Sequence, residues 1–82
     1  MSIALEIGHI AEEQAGDAAG HVITVGVDVG DQAGVEPGNL AFCLEAVLST
    51  PPFRRARPAI ERCSGDVLRV TYLEVDDGRP DD

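Results

Sequence analysis

Residues 21–48 read HVITVGVDVGDQAGVEPGNLAFCLEAVL, and this stretch carries a strand pattern followed by a helix pattern. Its first part alternates β-branched apolar residues with small or polar ones: Ile23, Val25, Val27 and Val29. A period of two is typical of a strand with one buried face. Gly26 falls on the other, more open face, where a strand glycine indicates a small bulge or the close approach of a neighbouring segment.

The second part of the stretch predicts an amphipathic helix from Pro37 to Leu48. Its apolar residues recur at steps of three and four: Leu40, Cys43, Leu44, Val47 and Leu48. Proline suits the first helical turn, where a backbone N–H would have no partner. Cys43 lies on the apolar stripe, so we expect a small buried residue there.

The loop between strand and helix combines glycines, acids and a proline. We expect Gly30 and Gly34 to allow the chain to turn, and Glu36 to cap or complement the positive start of the helix. This structural interpretation accounts for the residues found in the loop. A functional alternative, in which the Glu36 carboxylate serves as a weak oxygen ligand or a partner contact, stays open beside it.

The N-terminal segment predicts a helix from Ser2 to Ala15. Isoleucines and alanines at helical spacing form its apolar face: Ile3, Ala4, Ile7, Ile10 and Ala11. Ser2 can cap the start of the helix, and Gly16 can end it in the left-handed conformation.

The C-terminal half predicts a linker and two strands. Residues 49–58 contain three prolines, so we expect an irregular linker over the surface. Residues 59–63 and 67–75 then read as a hairpin joined by a Ser64-Gly65 turn. Leu68, Val70 and Tyr72 indicate its inward face, and Leu73 and Val75 break the alternation, which predicts a bulge or a twist towards the end of the strand.

The predicted fold is therefore α/β (α+β): two helices packed on a small three-stranded sheet, in the order αβαββ. We expect one domain over residues 1–75 and an acidic flexible tail over residues 76–82. A chain of 82 residues lies near the size at which one core only just offsets chain entropy, which is consistent with stabilisation by a partner or by a second copy.

Composition limits the classes of function and partner that the chain could have. Fifteen acidic residues against six arginines give a net charge of −9, which argues against nucleic acid as a partner. No apolar run approaches the roughly 18 residues of a membrane span, and the N-terminal segment does not resemble an export signal. Two cysteines fit a reducing compartment. We therefore expect a cytoplasmic protein without membrane contact.

Four stretches, SIALEI, VDVGDQAGVEP, NLAFCLEAV and SGDVLRVTYLEVD, together resemble the nickel-binding domain of the HypA/HybF hydrogenase metallochaperones. The resemblance implies this α/β layer, with a zinc lobe inserted between the last two strands and nickel held by an N-terminal Met-His-Glu. This chain begins Met-Ser-Ile, and it has two cysteines where a zinc lobe usually needs four ligands. Bound zinc is therefore not expected. Nickel binding is possible but is expected to be weak. Whether Met1 is the native start stays open.

Two residues are weak metal candidates, Glu36 and His9. His9 has Glu12 and Glu13 about one helical turn away, which allows a weak surface cluster. The alternative is a plain solvated helix face. A bond between Cys43 and Cys63 is not expected in a reducing compartment.

Catalysis is not predicted. A serine or cysteine nucleophile needs a positioned base, and neither histidine has a context that brings it to Ser64, Cys43 or Cys63. The loop also lacks the lysine of a phosphate-binding loop.

Arg54, Arg55 and Arg57 form the one concentrated positive feature, which we call the arginine group. One interpretation is a solvated linker whose charges pair with Glu45 or Glu61. The other is an anchor for an acidic partner, since guanidinium groups bind carboxylates bidentately.

The sequence thus favours a shortened HypA-like accessory protein in nickel-enzyme maturation, acting as a delivery or adaptor factor with weakened or lost metal binding. The expected partners are the hydrogenase large subunit or the maturation GTPase. The alternative is a metal-free interaction or dimerisation module, since sheet edges readily pair with a second copy.

Overall fold

The computed structural model describes residues 3–76. The elements are α1 (Ile3–Ala15), a short 3-10 helix (Gly16–His21), β1 (Val22–Gly30), α2 (Pro37–Leu48), β2 (Arg57–Cys63) and β3 (Leu68–Val75). The predicted order αβαββ is confirmed, as is α2 to the residue. The Ser2 cap and the tail beyond residue 76 lie outside the described residues.

The three strands form one sheet in the order β2-β1-β3. β1 runs parallel to β2 and antiparallel to β3. The predicted hairpin of the last two strands is therefore wrong, because β1 lies between them. β1 carries four fully buried valines, whereas β2 and β3 are rich in exposed polar residues. Burial of apolar surface therefore favours β1 at the centre and the more polar strands at the edges.

The link from β2 to β3 crosses the end of β1. Three backbone bonds hold it there: Gly30 N donates to Val67 O at 2.7 Å, Asp31 N to Cys63 O at 2.8 Å and Gln32 N to Gly65 O at 2.7 Å. The Asp31 carboxylate also accepts from Gly65 N at 2.9 Å. The predicted Ser64-Gly65 turn exists, but it reverses the chain over β1 rather than beside it.

Both helices cover one face of the sheet. Helix α1 buries a stripe of small residues around one isoleucine: Ala4, Ile7, Gly8 and Ala11. A Cβ atom on Gly8 would lie 2.7 Å from Cγ1 of Val47, so the glycine lets the two helices approach closely. Ile3 and Ile10, predicted on the buried face, are instead 39% and 42% exposed because the small residues take the contact with α2.

Bulges shift the alternation on two strands. In β1 the register with β3 slips between Val22 and Thr24, so Val22 is buried and Ile23, predicted inward, is half-buried. In β3 the slip lies between the partners of Gly26 and Val27, which confirms the predicted bulge. The extra residue sends Leu73 to the core and leaves Tyr72 on the opposite face, so the inward prediction for Tyr72 is wrong.

The segment before β2 is only partly a surface linker. Phe53 and Ala56 are 4% and 6% exposed and belong to the core. β2 begins at Arg57, two residues earlier than predicted, and includes Pro58. This proline is tolerated because β2 is an edge strand, where one side of the backbone needs no ladder partner.

Candidate docking surface

The arginine group lies on the outside of the molecule. All three of its arginines are exposed: Arg54, Arg55 and Arg57. Phe53, which precedes them, and Ala56, which lies between Arg55 and Arg57, are buried. The buried residues fix the backbone against the core, so the intervening arginines project into solvent from a defined position. The sequence grouped these charges correctly, but it did not predict that the segment carrying them is anchored.

Two shallow depressions adjoin the arginine group. The first, of about 420 Å³, is lined by Arg54 and Arg55 together with residues 20–23 and Asp76. The second, of about 360 Å³, is lined by all three arginines with Glu45, Ser49 and Ala56. Both are open to solvent, so they suit an extended chain or a side chain of a partner.

The electrostatics of this surface are mixed. Arg55 Nη2 lies 3.7 Å from the Asp76 carboxylate, with side chains 79% and 49% exposed. An ion pair this long and this exposed contributes little to stability. Glu45, one of the two predicted partners of the arginines, lines the second depression. The guanidinium groups thus keep access to solvent and to an incoming carboxylate.

The two weak metal candidates belong to different helical segments: His9 lies within α1, and Glu36 is the N-cap of α2. Glu36 precedes α2, and its Oε1 accepts from Asn39 N at 2.7 Å, which confirms the capping interpretation. His9 is exposed on α1 beside a shallow depression that Glu12, Glu13 and Gly16 also line. Within residues 3–76, His, Cys, Asp and Glu side chains form no group of three or more suited to a metal ion.

The cysteines are both free thiols. Cys43 is exposed, so its predicted burial is wrong. Residues 40, 44 and 48 supply the buried stripe of α2, and position 43 falls at its margin. Cys63 ends β2 and is half-buried.

A second surface escaped the sequence interpretation, namely the sheet face opposite the helices, which we call the open face. Its centre is Tyr72, 47% exposed, whose ring lies over Gly26. The glycine in the middle of β1 was the available signal, and the predicted close approach is that of this ring. Arg69 Nη2 lies 3.8 Å from the Asp28 carboxylate on the same face.

These features define a small two-layer α+β domain with an arginine-lined surface and a sheet face that residues 3–76 leave uncovered; Arg57 belongs to both. Among curated proteins, it is similar to the hydrogenase maturation factor HypA of Geobacter metallireducens (strain ATCC 53774 / DSM 7210 / GS-15), with 37% identity over 65 residues. The match covers 79% of this chain and 57% of that protein, so the chain spans little more than half the length of its relative.

The similarity supports a HypA-like relationship. No family model matches the chain, and no solved structure matches it. Within the described part of the chain, no helix has the length and apolar character needed to cross a membrane.

Proposed function

We propose that the chain is a HypA-like accessory factor in hydrogenase maturation that acts by protein contact. The observation that carries this proposal is the 37% identity over 65 residues to a protein named as a hydrogenase maturation factor. The arginine group supports the mode of action, because it is a concentrated cationic surface on a chain with a net charge of −9. A partner with exposed carboxylates would find its complement there.

In this proposal the chain is an adaptor rather than a strong nickel carrier. The Glu36 carboxylate already accepts a hydrogen bond from the backbone N–H of Asn39. Binding a metal ion through this carboxylate would compete with that cap. His9 is exposed on α1, and among the described residues the carboxylates of Glu12 and Glu13 line the depression beside it. Nickel(II) favours nitrogen-rich sites, so these groups would hold it weakly.

Binding of the expected partners tests the adaptor function. Purified hydrogenase large subunit and the maturation GTPase are each titrated with the chain, and with Arg54→Glu and Arg55→Glu variants. We expect each reversal to weaken binding about tenfold, since like charges placed together are costly. Arg62→Glu is the matched control, because Arg62 is an exposed arginine of β2 outside the group. Equal weakening by all three variants would remove the arginine group from the proposal.

Calorimetric titration with nickel(II) tests the metal component separately. We expect an affinity no tighter than about 1 mM, the range in which a binding free energy is only about −4 kcal/mol. Tighter binding at a stoichiometry near one would instead make the chain a nickel carrier. No binding of either partner protein, with or without nickel, would contradict the accessory function itself.

A further inference from the structure

The open face of the sheet carries a regular arrangement of charges. Strand register places its side chains in three rows across β2, β1 and β3. The first row is Arg57, Thr24 and Glu74; the middle row is Ala59, Gly26 and Tyr72; the third row is Glu61, Asp28 and Arg69. The middle row is apolar, and each outer row contains both signs of charge.

This arrangement is complementary to itself. A two-fold axis along the middle row places the first row of one copy against the third row of the other. Arg57 then faces Glu61 and Glu74 faces Arg69, while Thr24 faces Asp28 and can donate its hydroxyl to that carboxylate. Every charge in these three rows then meets an opposite charge or a hydrogen-bond donor. Isologous contacts of this kind close into a dimer.

The centre of the face suits the same packing. Tyr72 lies over Gly26, where any Cβ atom would overlap its ring, so the ring lies flat on the strand instead of standing away from it. On the two-fold axis the rings of two copies meet, and offset aromatic packing is favourable. Two arginines and three carboxylates nearly balance on this face, whereas the whole chain carries −9. Repulsion between two acidic copies is therefore small at this surface.

We propose that the open face is the interface of a homodimer in which two copies pack sheet against sheet, with the two-fold axis along the row of Ala59, Gly26 and Tyr72. Three strands about 4.8 Å apart and rows about 6.6 Å apart give a small contact, of the size found in weak and transient complexes. The dimer is therefore in exchange with the monomer and forms at high protein concentration.

Sedimentation equilibrium from about 20 µM to about 1 mM protein tests the interface, because this interval covers weak association. We expect a concentration-dependent dimer for the wild-type chain. Arg57→Glu and Glu61→Arg each place like charges together twice in the dimer, so each raises the dissociation constant about tenfold or more. Both side chains are exposed, so the variants are expected to fold, and thermal melts check this.

The double variant Arg57→Glu with Glu61→Arg decides the geometry. It restores opposite charges across the proposed axis, so its dissociation constant returns to within about threefold of wild type. An axis along the strands would instead pair Arg57 with Glu74, and the double variant would then be the weakest of all. Glu13→Arg, on the helical layer, is the charge-matched control and leaves dimerisation unchanged.

A spectroscopic readout is available because Tyr72 is the one tyrosine in a chain without tryptophan. We expect its fluorescence to change with protein concentration in parallel with the dimer fraction. A wild-type chain that stays monomeric throughout, a dimer indifferent to both single variants, or a double variant without recovery would each overturn the proposal. The second outcome would indicate pairing through a strand edge.

Discussion

Gly30 and Gly65 touch so closely that a Cβ atom on Gly30 would overlap the carbonyl oxygen of Gly65. The same Cβ would lie 2.7 Å from the backbone nitrogen of Val67. The link between β2 and β3 therefore crosses β1 at backbone contact distance. This contact lets two strands that follow each other in sequence lie on opposite sides of a third.

Gly30→Ala is expected to destabilise the fold by about 3 kcal/mol or more. The overlapping atoms belong to the backbone of the crossing link, which cannot rotate away as a side chain could. Three backbone hydrogen bonds and one to the Asp31 carboxylate hold that link in place. Urea denaturation of the variant and the wild type measures the difference in unfolding free energy.

Gly34→Ala is the matched control for this prediction. Gly34 has a φ of +77°, and a Cβ atom there would have no neighbour within 4 Å, so alanine costs only the left-handed conformation, about 1–2 kcal/mol. Equal losses for the two variants would mean that the crossing link is free to move.

Gly26→Ala and Tyr72→Ala are expected to be coupled. A Cβ on Gly26 would overlap the ring of Tyr72, so Gly26→Ala alone costs about 1–3 kcal/mol. In the background of Tyr72→Ala the overlap is absent, and the same change should cost less than about 0.5 kcal/mol. A double-mutant cycle by thermal or urea unfolding measures the coupling. Additive losses would show that the ring does not lie on the glycine.

Phe53→Ala and Phe42→Ala are expected to differ strongly although both remove the same side chain. Phe53 is 4% exposed and packs in the core, so its truncation costs about 3–5 kcal/mol. Phe42 is 75% exposed on α2, so its truncation changes stability by less than about 0.5 kcal/mol. The two unfolding midpoints provide the comparison. Similar midpoints would instead indicate that the segment before β2 is a surface linker without a core contact.

Local patterns in the sequence sufficed for α2, for the end of α1 at Gly16 and for the Glu36 cap, because these depend on neighbouring residues. They did not suffice for the strand order. A Ser-Gly turn between two short strands normally makes a hairpin, and only the burial of β1 excludes it.

The arginine group and the open face also differ in how far local sequence patterns could predict them. The arginine group lies within residues 54–57 and could therefore be seen in the sequence, although the burial of Phe53 beside it could not. The open face depends on register among three strands and on a bulge that turns Tyr72 outward. No local pattern could place Arg57 in a row with Glu74.

Glu36→Ala is expected to lower stability by about 1 kcal/mol. The lost carboxylate accepts the Asn39 amide at the first turn of α2, and N-cap truncations cost about this much. Glu36→Gln keeps an acceptor oxygen and should recover most of the loss, which separates the hydrogen bond from the charge. Urea denaturation measures both variants. A glutamine variant as unstable as alanine would assign the effect to charge at the helix start rather than to the cap.

The two thiols are expected to react with a disulfide reagent in separate phases. Cys43 is exposed on α2 and Cys63 is half-buried at the end of β2, next to the crossing link. Access limits the reaction of a thiol, so the fast phase belongs to Cys43 and the slow phase to Cys63. Cys43→Ser should remove the fast phase alone, and denaturant should merge the two phases of the wild-type chain. A single slow phase in the folded wild type would show that Cys43 is covered, as its place on the apolar stripe first indicated.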